Sequence, residues 1–367
     1  MRVAGIMSGT SLDGIDVAIV DIEWPQVKTI AFSTTPYSQK LRERILAVSN
    51  TDCHTRDIAR LGYELSELYA NAVKACAKEN KIKLNSIDLI GCHGQTIYHE
   101  GPRCTLQIGE GAVIAERLGI DTISNFRARD IAAGGHGAPL VPFFDWMALT
   151  HSEINRVAIN IGGIANVHAL PANAKASEVF AFDTGPGNMV IDQLTQIATK
   201  GKQSYDKHAK IARRGKLNKP LLAKLLKDKY FSKRPPKSAG REEYGAAFIQ
   251  KLIETGLPIE DLISTATAFT AATIAQAISR FISPKFAVDE CLVSGGGVHN
   301  PLMMAQLQGF LPKAYVHSID DIGIAADAKE AIAFAFLAAA TVLGIPANLP
   351  SATGAKRPVL LGQISPT

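Results

Sequence analysis

Several short stretches of this chain combine small hydroxyls, glycines and carboxylates at spacings that could do chemistry. The first, GIMSGTSLDGID (residues 5–16), sets a Ser-Gly-Thr-Ser run and two aspartates between the apolar flanks RVAGIM and VAIVDI. Both flanks read as strands, which makes the stretch the mouth of a hairpin. Backbone amides at glycine turns form anion-binding concavities, and Ser or Thr hydroxyls add donors without bulk. Gly9 and Gly14 would permit close approach to such an anion. Asp13 or Asp16 could hold Mg²⁺, because hard cations take oxygen ligands. The same residues would also make an ordinary Asp-Gly turn.

FAFDTGPGN (180–188) places Asp183 after an apolar run and before Gly185, Pro186 and Gly187. That is the carboxyl end of a strand, where open α/β sheets place ligands. A carboxylate there can act as a general base if it reaches the attacking oxygen; its plainer use is as a turn former. GCHGQTIYHEG sets His93, Gln95 and Thr96 after another strand, as polar substrate contacts or as structural groups. His93 and His99 are not at the i, i+4 spacing of a helical zinc pair. SGGGVHNP (294–301) follows a strand, and its three glycines would let backbone lie flat against a planar ligand such as adenosine, or simply turn the chain. No Walker-type G-x-x-x-x-G-K-S/T and no G-x-G-x-x-G after a strand occurs.

These groups need elements to hold them, and the elements repeat. RVAINIGGIANVHAL restarts at Arg156 the strand, glycine turn and strand with which the chain opens. Between and after the two copies, strands alternate with helical patterns (RDIARLGYELSELYANAVKACAKEN, the amphipathic-looking TATAFTAATIAQAISRFI, the Ala-rich AKEAIAFAFLAAATVLG). The chain is therefore α/β. Its 367 residues favour two domains, with FRARDIAAGGHGAPLVP as the crossing point. Two opposed glycine hairpins could grip a polyphosphate from both sides.

Composition removes other classes. No apolar run approaches the ~20 residues of a membrane helix, and MRVAGIMSG lacks the pattern of a signal peptide. Five scattered cysteines without C-x-x-C spacing fit a reducing compartment, so a cytoplasmic protein is expected. Residues 200–241 hold 15 of the 39 lysines and arginines but only two of the 34 acidic residues. Leucines at helical spacing and few aromatics make this block a solvated helical face or dimer surface rather than a nucleic-acid surface.

Taken in order, GIMSGTSLDGID, GCHGQTIYH, RARDIAAGGHGAPLVP, NIGGIANV, FDTGPGN, KSAGRE and LVSGGGVHNP resemble the anhydro-N-acetylmuramic acid kinases, end to end. That family lies within the acetate and sugar kinase/Hsc70/actin superfamily. The resemblance implies an actin-like ATPase fold: two ribonuclease-H-like domains with mixed five-stranded sheets flanked by helices, and an ATP cleft between them. Residues 1–134 with about 345–367 would form one domain, and 135–344 the other. It implies ATP with Mg²⁺, hydrolytic opening of the 1,6-anhydro bridge of anhydro-N-acetylmuramate with phosphorylation of O6, and a role in recycling cell-wall peptidoglycan sugars.

By motif, Ser8, Gly9, Thr10, Ser11, Leu12, Asp13, Gly14 and Asp16 would bind ATP, with Asp13 toward the metal. Gly162 and Gly163 would form the second phosphate hairpin, and Gly295, Gly296 and Gly297 would flank adenosine. Asp183 would activate water, and Glu330 matches an acidic position near the sugar. His93, Gln95, Thr96, Arg127 and Gly135 become sugar contacts. The resemblance further implies a homodimer, with no nucleic acid or membrane as partner. A chaperone-like or filament-forming ATPase would share the fold but needs inserts this length does not provide. Another sugar or acid kinase would differ only in its sugar contacts.

Overall fold

The apolar, β-branched runs on either side of each glycine turn form strands, and each turn opens a separate sheet. In the computed structural model, which describes residues 1–9 and 12–367, the chain divides into two units. Unit 1 comprises Met1–Ala148 with Ala328–Thr367, and unit 2 comprises Leu149–Asp327.

In unit 1, β1 (Arg2–Ser8), β2 (Gly14–Glu23) and β3 (Gln26–Pro36) form an antiparallel meander. β4 (Leu89–Glu100) runs parallel to β1, and β6 (Thr122–Ser124) parallel to β4. In unit 2, β7 (Arg156–Ile161), β8 (Ile164–Leu170) and β9 (Phe180–Pro186) repeat the meander. β10 (Glu290–Ser294) then runs parallel to β7, and β11 (Tyr315–Ser318) parallel to β10. The orders β6-β4-β1-β2-β3 and β11-β10-β7-β8-β9 are one topology used twice, as the resemblance implied. The sheet of unit 1 is not five-stranded, however. β5 (Cys104–Ile108) pairs with the far end of β4, and β12 (Gln363–Ser365) adds to β6, giving seven strands.

The helix Lys329–Val342 decides where the last part of the chain belongs. Gly5 of β1 and Gly91 of β4 are register neighbours. A Cβ at Gly5 would overlap the Ala331 carbonyl oxygen, and one at Gly91 the Phe334 carbonyl oxygen. Two adjacent glycines thus make a flat trough into which an Ala-rich helix backbone sinks, with Ala331 to Ala340 wholly buried. This differs from the sequence-based boundaries: residues 135–148 and 328–344 lie in unit 1. FRARDIAAGGHGAPLVP is likewise no linker. It folds over the buried carboxylate of Asp130, which accepts from the Gly137 amide at 2.7 Å, Asn348 at 2.6 Å and Thr353 at 2.7 Å.

Two other expectations change. The helix Ile259–Ala277 is not amphipathic, because every residue from Leu262 to Ala275 is buried in unit 2. Its threonines satisfy themselves on backbone carbonyls, Thr267 on Ile263 and Thr270 on Gly187. Among the described residues Ile259–Ile282 alone is long and apolar enough to cross a membrane, and it is a core helix. The basic block is helical only over Lys219–Leu225 and in single 3-10 turns. Leu221, Leu222, Tyr230 and Phe231 face the core while the lysines around them are exposed, apart from half-buried Lys237.

Candidate active site

Three glycine motifs, distant in sequence, meet at the carboxyl end of β7. The β7–β8 turn consists of Gly162 and Gly163, and their carbonyls are taken by the loop after β9. Asn188 N–H donates to Gly162 at 2.7 Å, and the Gly187 and Met189 amides donate to Gly163 at 2.9 and 3.1 Å. The Asn188 side chain reaches the Ile161 carbonyl at 3.1 Å. The SGGG turn arrives on the same strand end: Gly295 has φ of 77°, and a Cβ there would press on Asn160 and the Ile161 carbonyl. A residue with φ in that range and no room for a side chain is glycine for both reasons. The second hairpin and the expected adenosine motif are therefore one cluster of glycine backbone, locked to the start of the helix Met189–Ala198.

Asp183 lies within β9, opposite Asn166, not in the turn beyond the strand. Three contacts fix it. Its amide donates to the Lys237 carbonyl at 3.1 Å, its carbonyl accepts from the Tyr230 hydroxyl at 2.8 Å, and Oδ2 accepts from the Ala239 amide at 3.0 Å. Burial pushes its carboxyl up to about 6, and Glu243 adds to the rise. The Ala239 amide and the Lys237 ammonium oppose it. A carboxylate poised near neutrality, with one oxygen taking no hydrogen bond from the described residues, is equipped to accept a proton. Sequence reading missed Tyr230, Lys237, Ala239, Asn166 and Asn188. The KSAGRE motif was the available signal for two of them, but it said nothing of where they sit.

Unit 1 gathers the remaining residues in two groups. Ser8 is fully buried, and its hydroxyl lies 2.6 Å from both the Tyr37 hydroxyl and Gln95 Oε1. Gln95 in turn donates to the Gly9 carbonyl at 3.3 Å. These two side chains brace the hairpin mouth from below. Leu12 is buried with φ of 60°, its amide on the Gly9 carbonyl at 3.3 Å. Asp13 is exposed beside it, and Gly14 opens β2. Thr10 and Ser11 lie outside the described residues. Thr96 accepts from Gln107 at 3.2 Å.

The second group is charged. His93 Nδ1–H donates to the Gly94 carbonyl at 2.7 Å, which leaves Nε2 as an acceptor for Arg127, 2.7 Å away. Burial, reinforced by that guanidinium, drives the imidazole down to about 3, so His93 stays neutral. Arg127 also donates to the Gly137 carbonyl at 2.7 Å, so the GGHG loop aims the guanidinium. Gly135 sits inside that loop with its amide on the Asp130 carbonyl at 2.9 Å. Glu330, in the first turn of the helix Lys329–Val342, is raised chiefly by burial. Lys329 and Arg127 pull it back, and Asp16 and Asp145 push it further. Lys329 itself is paired with Asp145 at 2.9 Å, both buried. Asp16 accepts from Thr34 at 2.6 Å.

Among the described residues no cluster of three or more His, Cys, Asp or Glu could hold a metal ion. Mg²⁺ in phosphate-transfer sites needs only one or two carboxylates, with waters and substrate phosphates completing the octahedron. Exposed Asp13 or half-buried Asp16 fits that requirement.

A strand–glycine turn–strand meander extended by parallel strands and used twice defines a duplicated α/β protein. Sequence comparison gives the particular family. The family described as anhydro-N-acetylmuramic acid kinase matches residues 1–367. Anhydro-N-acetylmuramic acid kinases of Caldanaerobacter subterraneus subsp. tengcongensis and Salinibacter ruber are 43% and 42% identical, each covering 99% of this chain and 96% of their own. One from Bacillus cereus is 42% identical over 100% of this chain and 99% of its own. The chain belongs to the anhydro-N-acetylmuramic acid kinase family, and is an ATP-using sugar kinase.

Proposed function

We propose that this kinase opens 1,6-anhydro-N-acetylmuramic acid with water while transferring the γ-phosphoryl of ATP to O6, giving N-acetylmuramic acid 6-phosphate and ADP. Water attacks the anomeric carbon, the C1–O6 bond breaks, and O6 takes the phosphoryl group. The water proton passes to Asp183. The anomeric carbon is a poor electrophile until O6 departs, and phosphorylation supplies that departure, so one base serves both bond changes. Arg127, aimed by His93 and Gly137, would hold the sugar together with Glu330. The glycine backbone at 162–163 and 295–297, with the 9–14 hairpin mouth, would hold ATP. Mg²⁺, bound through Asp13 or Asp16, would neutralise phosphate charge.

The observation that carries this assignment is Asp183: a braced carboxylate raised to about 6 suits a base that must be ionised yet basic at neutral pH. A cytoplasmic homodimer serving peptidoglycan recycling fits the same reaction. The test is a substrate panel read by ADP release, with anhydro-N-acetylmuramate against ring-open N-acetylmuramate, glucose, glycerate, acetate and anhydroglucosamine. Turnover of the anhydro sugar with one equivalent of ring-opened 6-phosphate per ADP is expected. Faster phosphorylation of the ring-open sugar would mean a plain O6 kinase with no hydrolytic step.

A further inference from the structure

Asp130 has no exposed surface, and among the described residues no ion pair reaches it. Burying a carboxylate without a counter-ion is costly. Here three donors offset the cost. Oδ2 accepts from the Gly137 amide at 2.7 Å, and Oδ1 from Asn348 Nδ2 at 2.6 Å and the Thr353 hydroxyl at 2.7 Å. The last two lie 218 and 223 residues further along the chain. Thr353 is itself aimed, because its Oγ1 accepts from the Ala355 amide at 3.3 Å and so donates toward Asp130. Backbone bonds lay the chain end along the same loop, His136 N–H on the Thr353 carbonyl at 2.8 Å and Lys356 N–H on the Ala133 carbonyl at 2.9 Å. Gly137 is then gripped from both sides. Its amide is on Asp130, and its carbonyl accepts from Arg127 Nη1 at 2.7 Å. With φ of 71°, and with Ile131 and Arg127 where a Cβ would stand, this position requires glycine.

We propose that Asp130 is the positioning residue of Arg127, and that its carboxylate makes the chain end, through Asn348 and Thr353, a working part of the sugar site. This rests on Arg127 holding the sugar. Of the guanidinium N–H groups, those of Nε and Nη2 meet His93 Nε2, and one on Nη1 meets the Gly137 carbonyl. One further N–H on Nη1 and one on Nη2 take no acceptor among the described residues, and are left for the oxygens of a ligand. Their direction follows from the plane of the fork, which the His93 nitrogen and the Gly137 carbonyl set between them. His93 stands on β4, inside the sheet of unit 1. Gly137 stands on a loop, and the Asp130 carboxylate ties that loop to the helix Ala128–Ala132 and to the chain end at once. Because a planar fork recognises oxygens by direction as well as by charge, displacing the Gly137 carbonyl turns the remaining donors away from their target.

The test is a double-mutant cycle on KM for anhydro-N-acetylmuramate and KM for ATP, with Thr353→Val, Thr353→Ser, Asp130→Asn and Arg127→Ala. Valine keeps the shape of threonine and removes the donor. A misplacement of about 1 Å can cost ~10²-fold, so losing one of the three clamps should raise KM for the sugar roughly fivefold and leave KM for ATP within about twofold. Thr353→Ser keeps the hydroxyl and should restore the wild-type value. Asparagine at 130 meets donors on both sides, so its own amide nitrogen must face one of them, and Asp130→Asn should match the valine variant or exceed it. In the Arg127→Ala background Thr353→Val should change KM for the sugar no further, because a positioning residue acts through the group it positions. An equal factor with and without Arg127, a parallel rise in both KM values, or no rise in Thr353→Val and Asp130→Asn would overturn the role of Asp130 alone. Arg127→Ala is the separate control: an unchanged KM for the sugar there overturns the sugar-holding role of Arg127, and this proposal with it.

Discussion

Replacing Asp183 by asparagine should do two opposite things, both worked from its surroundings. General-base assistance is worth ~10²–10⁴-fold in rate, so turnover should fall by at least that order. Stability should rise. In the unfolded chain the carboxyl titrates at about 3.9, whereas in the folded state burial holds it at about 6. The folded state therefore binds the proton more tightly, so ionisation works against the fold. This penalty is small below about pH 4, grows as the unfolded chain ionises, and is complete above about pH 6. Two units correspond to about 3 kcal/mol at most. Asp183 is only half-buried by surface area, so solvent screening lowers the expected gain to about 1–2 kcal/mol. Asparagine still accepts from the Ala239 amide and carries no charge to desolvate. At ~2–4 °C per kcal/mol for a unit of this size, the variant should melt several degrees above wild type at pH 8 and close to it at pH 4. Paired thermal scans at the two pH values, with turnover measured on the same samples, make the comparison. A melting difference independent of pH, or a variant less stable at pH 8, would refute the claim that burial raises this carboxyl.

The buried Lys329–Asp145 pair holds the first turn of the helix that carries Glu330. Lys329→Met should cost about 3–5 kcal/mol by removing the cation paired with the buried Asp145 carboxylate, and pairing it with Asp145→Leu should recover much of the loss in denaturant melts. Arg127→Lys keeps the charge but gives up the planar fork that joins His93 to Gly137. KM for the sugar should rise tenfold or more while KM for ATP changes little; an equal change in both would place Arg127 elsewhere. The exposed lysines of residues 200–241 have a single exposed aromatic, Tyr205, among them, so duplex DNA should bind no tighter than micromolar at physiological salt, as fluorescence anisotropy would show.

How far the chain could be read without its structure depended on the range of the interactions involved. Glycine turns, strand runs and their duplication are local, so two copies of one motif and an α/β fold were legible from Gly5 to Ile22 and from Arg156 to Leu170. The family resemblance rests on the same local motifs, and it pointed to Asp183, Arg127 and Glu330. Packing partners were another matter. The helix Ile259–Ala277 shows threonines at helical spacing, which read as a polar face. Only the folded unit reveals that Gly187 and neighbouring carbonyls satisfy them in the core. The Ala-rich terminal helix gave no hint that it belongs with β1 and β4, because the trough that receives it is two glycines 86 residues apart. The convergence of residues 160–163, 187–188 and 294–297 on one strand end, and the seating of Asp183 on Tyr230–Ala239, depend on contacts across tens to more than a hundred residues. Residue type and spacing decide which groups are available for chemistry. Burial and long-range hydrogen bonds, which exist only once the chain has closed on itself, decide their protonation and aim.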